Sequence, residues 1–212
     1  MFIETFPVPP LGCNCTIVGD EVTREAVVVD PGGDAKGILR RLRERGVTVK
    51  AIVHTHTHID HVGATAEVQR ETRAPARIHE GDLFLYDMLD VQGQLLGIRG
   101  PARAELDGFL RDDETLTAGG AAITVLHTPG HTPGSVCFQS HDGERAVVLS
   151  GDTLFQGSIG RTDLWGGDSD LILTSIRDRL LALPDDTLVI PGHGGTSTIG
   201  RERRANPFLR AR

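Results

Sequence analysis

The chain has 212 residues, 39% of them hydrophobic and 24% charged, a balance that buries a core and excludes an intrinsically disordered chain. Its net charge of −7 argues against phosphate-backbone binding, and no apolar run reaches the ~18–20 residues needed to cross a bilayer. At roughly 100–200 residues per domain it reads as one domain over 1–212, and residues 1–12 carry no basic or apolar leader segment, which predicts a cytoplasmic protein.

Short β-branched runs predict strands at Cys15–Val18, Ala26–Val29, Ala51–His54, Ile123–Leu126, Val136–Gln139, Ala146–Leu149 and Thr187–Ile190. Asp34 is placed to cap a helix through Arg45, with Gly46 as its stop. A second helix is expected from Gly63 to about Arg73, before Pro75, and a third over Ser169–Ala182, before Pro184. Residues 80–115 are the least legible, mixing Leu83, Phe84, Tyr86, Met88 and Leu89 with glycines. Strands in both halves with helices between them predict an α/β sandwich. The three cysteines, Cys13, Cys15 and Cys137, make no complete disulfide framework and fit a reducing compartment.

The informative residues lie where strands end. After Ala51–Val53 comes His54-Thr-His56-Thr-His58-Ile-Asp60-His61. In extended backbone, residues two apart face the same way, so His56 and His58 present imidazoles to one point, while Asp60 and His61 enter the next helix. His131 follows Ile123–Leu126 inside a Pro-Gly-framed turn. Asp152 follows Ala146–Leu149, and His193 follows Thr187–Ile190 in Pro-Gly-His-Gly. Glycine and proline hold such loop side chains exposed and fixed. Five imidazoles and two carboxylates form a donor set for divalent metals, with zinc foremost and iron or manganese compatible. Seven donors exceed one tetrahedral zinc and suit two ions about 3.5–4 Å apart.

Other polar residues have plainer readings. His54 reads as a buried supporting histidine, His127 as structural, His141 as part of a hairpin turn, and His79 as either pocket or surface. Cys15 reads as core. The Asp112-Asp113-Glu114 run and Arg201-Glu202-Arg203-Arg204 read as solvated segments, the latter as a helix face or an anion patch.

The sequence resembles the metallo-β-lactamase superfamily, through His56-Thr-His58-Ile-Asp60-His61, Val29-Asp30-Pro-Gly-Gly, His131, Asp152 and His193 in matching order over about residues 10–208. Within it, Gly160-Arg161-Thr162-Asp163 and Asn206-Pro207-Phe208 make it similar to the short glyoxalase II-like hydrolases. The resemblance implies an αββα sandwich with the metals at its open edge. It assigns His56, His58 and His131 to one ion, Asp60, His61 and His193 to a second, and Asp152 to both. It implies hydrolysis of a 2-hydroxyacyl thioester of glutathione or a similar thiol by a metal-bridging hydroxide, with Asp60 orienting it and Asp30 fixing loops. Longer relatives add a C-terminal helical region with glutathione contacts; without it, a high KM is expected.

The expected partner is therefore a small-molecule thioester, with no nucleic acid and no membrane. Arg161 is a candidate for a carboxylate on the thiol carrier, unless Asp163 pairs with it. Tyr86 is a candidate for a substrate wall formed by residues 80–100, against a packed peripheral helix. Two other classes compete. Persulfide dioxygenases share much of the pattern and imply one iron on His56, His131 and Asp152, but Pro-Gly-His193-Gly favours the hydrolase. A non-catalytic metal-binding module is disfavoured, because structural zinc sites are closed and usually Cys-rich.

Overall fold

The computed structural model describes residues 1–210. In chain order the first half comprises β1 (Phe2–Val8), β2 (Cys13–Gly19), β3 (Glu25–Val29), α1 (Ala35–Arg45), β4 (Thr48–Val53), α2 (Ile59–Val62), α3 (Thr65–Thr72), β5 (Ala76–His79), α4 (Leu83–Asp87), α5 (Leu89–Leu95) and β6 (Leu106–Leu110). The second half comprises β7 (Thr115–Ala118), β8 (Ala121–His127), β9 (Val136–His141), β10 (Ala146–Gly151), β11 (Leu154–Phe155), β12 (Ser158–Ile159), α6 (Ser169–Ser175), β13 (Leu188–Pro191), β14 (Ser197–Thr198) and α7 (Ile199–Ala205).

Strands β1 to β6 form one sheet in sequence order, antiparallel as far as β3 and parallel from β3 to β6. The other runs β14-β13-β10-β9-β8-β7, with only β10 and β13 parallel. Strand β3 shows why the sheets stack. Its Val27 and Val29 point inward to meet Ile123, Val125, Phe138 and Leu149 of the second sheet. Its Ala26 and Val28 point outward onto Ile38, Leu42 and Val68 of α1 and α3. A strand covered on both faces reads as a continuous apolar run. On the far side Cys137, Val148 and Val189 pack under Ile172, Ile176 and Ile199, completing an αββα sandwich.

Helix α1 starts and stops as expected: the Asp34 side chain accepts the Gly37 N–H, and Gly46 at φ +62° takes the left-handed turn. The helix expected from Gly63 to about Arg73 is α3, and a separate single turn, α2, precedes it, so Asp60 and His61 already lie in a helical turn. The helix expected over Ser169–Ala182 is α-helical only to Ser175 and then widens by one residue per turn over Ile176–Leu180. That widening keeps Ile172, Ile176 and Leu180 all fully buried. Strands β1, β5, β6 and β7 and the two-residue strands β11, β12 and β14 lie outside the sequence expectations.

The two runs read as solvated are exposed at Asp112, Asp113, Arg201, Arg203 and Arg204, and each also makes ties. Asp112 and Asp113 both accept from Arg179 at 2.7 Å, and Glu114 pairs with Arg77, so the acidic run clips β7 to neighbouring elements. Glu202 is buried, not solvated: it accepts the Gly157 N–H at 2.8 Å and the Asn206 amide at 2.9 Å, and bonds Ser197. No described helix is long and apolar enough to cross a membrane.

Candidate metal centre

Four strand ends deliver the donors to one edge of the sandwich. The segment after β4 carries His56 and His58, and α2 carries Asp60 and His61. The turns after β8, β10 and β13 carry His131, Asp152 and His193. These segments are held by backbone contacts between chain-distant loops. The Val136 N–H donates to the Thr55 carbonyl at 2.7 Å, and the Gly192 N–H to that of Gly151 at 2.8 Å. Gly192 is obligatory here, because a Cβ on it would overlap the Asp152 carboxylate and press within 2.7 Å of the His61 ring.

His56, His58 and His131 form the first group. His131 Nε2 stands 3.2 Å from His56 Nε2 and 3.0 Å from His58 Nδ1. His131 Nδ1 donates to the Arg161 carbonyl at 2.8 Å, which fixes the tautomer and leaves the Nε2 lone pair facing its neighbours. Burial and the adjacent imidazoles push His56 well below the usual histidine pKa and His58 down to about 3. All three are therefore neutral, with lone pairs crowded on one point.

Asp60, His61 and His193 form the second group. His193 Nε2 lies 3.0 Å from Asp60 Oδ2, and His61 Nε2 lies 3.8 Å from the same oxygen. His61 Nδ1 donates to Asp30 Oδ2 at 3.0 Å, so its Nε2 faces the centre. Asp30 in turn takes the Thr55 N–H and hydroxyl, each at 2.7 Å. Burial opposes ionisation of Asp60, but His61 and His193 outweigh it and hold the carboxyl low. Asp152 stands between the groups: Oδ1 is 3.5 Å from His61 Nε2, and Oδ2 is 3.8 Å from His131 Nε2 and 3.9 Å from His193 Nε2.

The residues fit one or two divalent cations. His61 Nε2 and Asp152 Oδ1 are buried and have no hydrogen-bond partner, although each points into the cradle. Orphaned buried polar atoms are costly, and facing lone pairs repel unless a cation sits among them. Donor atoms of His56, His58 and His131, of His56, His61 and Asp152, and of Asp60, His61 and His193 each lie within 4.8 Å of one another. Nitrogen and carboxylate donors without thiolate admit zinc, iron or manganese alike.

Two positioning residues escaped the sequence reading. Asp82, fully buried, accepts from Thr57 N, Thr132 Oγ1 and Gly134 N at 3.0, 2.9 and 2.6 Å, and thereby ties the His56–His58 segment to the His131 turn. Asn14 donates to the carbonyls of Pro191 and Gly194 on either side of His193. An Asp in a Glu-Gly-Asp turn and an Asn in a strand carry no chemical signature of their own.

The cleft above the cradle holds about 280 Å³ and is walled by Leu11, Leu95, Leu96, Leu164 and Trp165. Tyr86 is not part of that wall. Its ring is buried against Ile59, Val62 and Leu89, and its hydroxyl donates to the Ala104 carbonyl at 3.0 Å. A tyrosine whose hydroxyl finds a backbone acceptor is satisfied in the core, so the 80–100 segment contributes Leu95 and Leu96 instead. Arg161 lines the cleft, yet its guanidinium makes a two-pronged pair with Asp163 at 2.8 Å on both prongs.

The remaining histidines lie outside the cradle. His54 is buried with Nε2 3.2 Å from Thr65 Oγ1. His79 stacks on His127 with centroids 4.1 Å apart, and His141 Nδ1 accepts the Gly143 N–H in the hairpin. Cys13 approaches His61 Nδ1 at 3.4 Å from behind.

Comparison with known proteins agrees with this geometry. The family model described as metallo-beta-lactamase superfamily matches residues 8–193. Hydroxyacylglutathione hydrolase GloC of Haemophilus influenzae is 39% identical over 219 residues, covering 100% of both chains. The crystal structure of BLEG-1 B3 metallo-beta-lactamase superimposes with a TM-score of 0.91 at 38% identity, covering 99% of this chain and 100% of that one. The di-iron-bound form of TTHA1623 gives a TM-score of 0.84 at 36% identity, with coverages of 97% and 100%.

Proposed function

The chain belongs to the metallo-β-lactamase superfamily as a metal-dependent hydrolase, and from that premise we propose that it cleaves a 2-hydroxyacyl thioester of glutathione or a similar small thiol. The observation that carries the reading is Asp152, whose two oxygens face histidines of both donor groups at the floor of an apolar cleft. His56, His58 and His131 would hold one ion and Asp60, His61 and His193 the other, with Asp152 shared.

Bound divalent metal supplies Lewis acidity towards the acyl oxygen and lowers the pKa of water from 15.7 towards about 7. The chain's own residues do the rest. One oxygen of Asp60 would orient the attacking water, while Oδ2, which lies 3.0 Å from His193 Nε2, would share the ion that His193 holds. Asp30 and the Arg161 carbonyl keep His61 and His131 in the tautomers that leave their Nε2 lone pairs free. Leu95, Leu96, Leu164 and Trp165 exclude bulk water from the reacting carbonyl. The thiolate is a good leaving group, so no side chain has to protonate it. The net charge of −7 supports a small-molecule partner over nucleic acid.

The test compares thiol release from S-lactoylglutathione with nitrocefin cleavage and persulfide-dependent oxygen uptake on one metal-loaded preparation. Thioester turnover should exceed the other two by orders of magnitude. Oxygen uptake with one bound iron and no thiol release would overturn the proposal.

A further inference from the structure

The cleft has two chambers. The first opens over His58, His131 and Asp152. The second, about 410 Å³, runs from it between Pro9–Pro10 and the Ile98–Pro101 segment. Leu11, Ile59 and Asp60 line both, so the chambers meet along these three residues beside the metal cradle. A thioester likewise extends in two directions from its carbonyl carbon, one acyl and one thiol.

Each chamber has one arginine in its lining, and the two differ in available charge. Arg161, in the first, is answered on two prongs by Asp163. Arg99, in the second, is exposed, and among the described residues its side chain has no hydrogen-bond or ion-pair partner. The carboxylates of that chamber are engaged: Asp34 accepts the Gly37 N–H at 3.1 Å, and Asp60 faces His193 at 3.0 Å. The rest of the wall is apolar or backbone, from Pro9, Leu11, Ile98 and Pro101. A free guanidinium over an apolar trough matches a flexible organic arm that ends in a carboxylate.

We infer that the second chamber seats the thiol-carrier arm of the substrate and that Arg99 binds a free carboxylate on that carrier. The smaller chamber then takes the acyl group. The inference rests on the thioester reading of the metal centre and assigns it a direction, with the leaving thiolate departing past Leu11 and Asp60. It also narrows the carrier to an acidic thiol.

The test measures kcat and KM of the metal-loaded wild type, Arg99→Glu and Arg99→Lys on three probes. S-lactoylglutathione carries carboxylates on the thiol, S-lactoyl-N-acetylcysteamine carries none, and S-succinyl-N-acetylcysteamine carries one on the acyl group. Arg99→Glu should raise KM about fivefold or more on the first probe with kcat held, and leave the other two unshifted. Arg99→Lys should recover KM to within about twofold of wild type. An equal KM change on all three probes, no change on S-lactoylglutathione, or a change confined to the succinyl probe would overturn the inference while wild-type turnover still upholds the hydrolase. Wild-type protein that releases thiol from none of them would overturn the hydrolase reading and this inference together.

Discussion

Asp82 accepts the Gly134 N–H at 2.6 Å across 52 residues of sequence, and that one contact sets the distance between the His58 segment and the His131 turn. The same carboxylate receives Thr57 N and Thr132 Oγ1, so Asp82→Ala leaves three buried donors unanswered. Thermal unfolding should show a loss of about 3 kcal/mol, or ~10 °C in Tm. Zinc stoichiometry at limiting metal should fall as well. A variant with wild-type Tm and metal content would show that the clamp is dispensable.

Asp152 is the group that faces both triads. Asp152→Ala should reduce bound metal from two ions to one and lower kcat/KM by at least about 10²-fold. His131→Ala should lower kcat/KM less than Asp152→Ala does and retain the Asp60, His61 and His193 group. Metal analysis beside kinetics separates the two variants, and full activity in Asp152→Ala would defeat the shared-ligand model.

Metal removal should destabilise the fold, because His61 Nε2 and Asp152 Oδ1 are left buried without partners. Saturating zinc at a thousand times its Kd stabilises by about 4 kcal/mol, ~10 °C in Tm for a chain this long. Differential scanning fluorimetry with chelator and then added zinc measures it. A Tm indifferent to metal would contradict the cradle.

The metal-free protein should lose stability in mild acid. Burial lowers His54 to about 4 and His58 to about 3, below the unfolded value of about 6.5. As pH falls through 6.5 the unfolded state takes up protons that the folded state refuses, so stability drops on going down, not up. His54 alone accounts for about 1 kcal/mol between pH 7 and 5.5. His193 opposes this, because its bond to Asp60 raises its pKa and that contribution is present below 6.5 and fades as pH rises through the folded value. Four lowered histidines, His54, His56, His58 and His131, outweigh the two raised, His61 and His193. Urea midpoints of chelated protein at pH 7 and 5.5 test the sign.

Leu96→Ala should alter acyl preference while metal content stays fixed, since Leu96 walls the cleft. Tyr86→Phe should do the reverse, costing about 1 kcal/mol through the bond to the Ala104 carbonyl and leaving KM unmoved. A substrate profile altered by Tyr86→Phe would return that residue to the cleft wall.

These pairs show what sequence reading reaches. The donors were legible because four cluster just after β4 and the other three sit at strand ends on Gly- or Pro-framed turns, and imidazoles in such numbers have few uses besides metal. The α/β sandwich was legible from buried β-branched runs in both halves, of which β3 is the clearest, whereas the αββα order came from the resemblance to the metallo-β-lactamase superfamily. Tyr86 was misplaced because aromatic composition shows a wall but not its inner face; the Ala104 carbonyl that satisfies it is remote in sequence. Asp82 and Glu202 were missed for the same reason. A buried carboxylate is recognised by the donors that converge on it, and these come from distant loops. Strands β5 and β6 have too few β-branched residues to announce themselves beside their glycine and charges.

The central claim is a two-ion thioester hydrolase, and the most direct measurement is thiol release from S-lactoylglutathione as chelated protein is titrated with zinc. The account predicts a rate that keeps rising to two equivalents per chain and then levels. Full rate at one equivalent, or no thiol release at any loading, would contradict it.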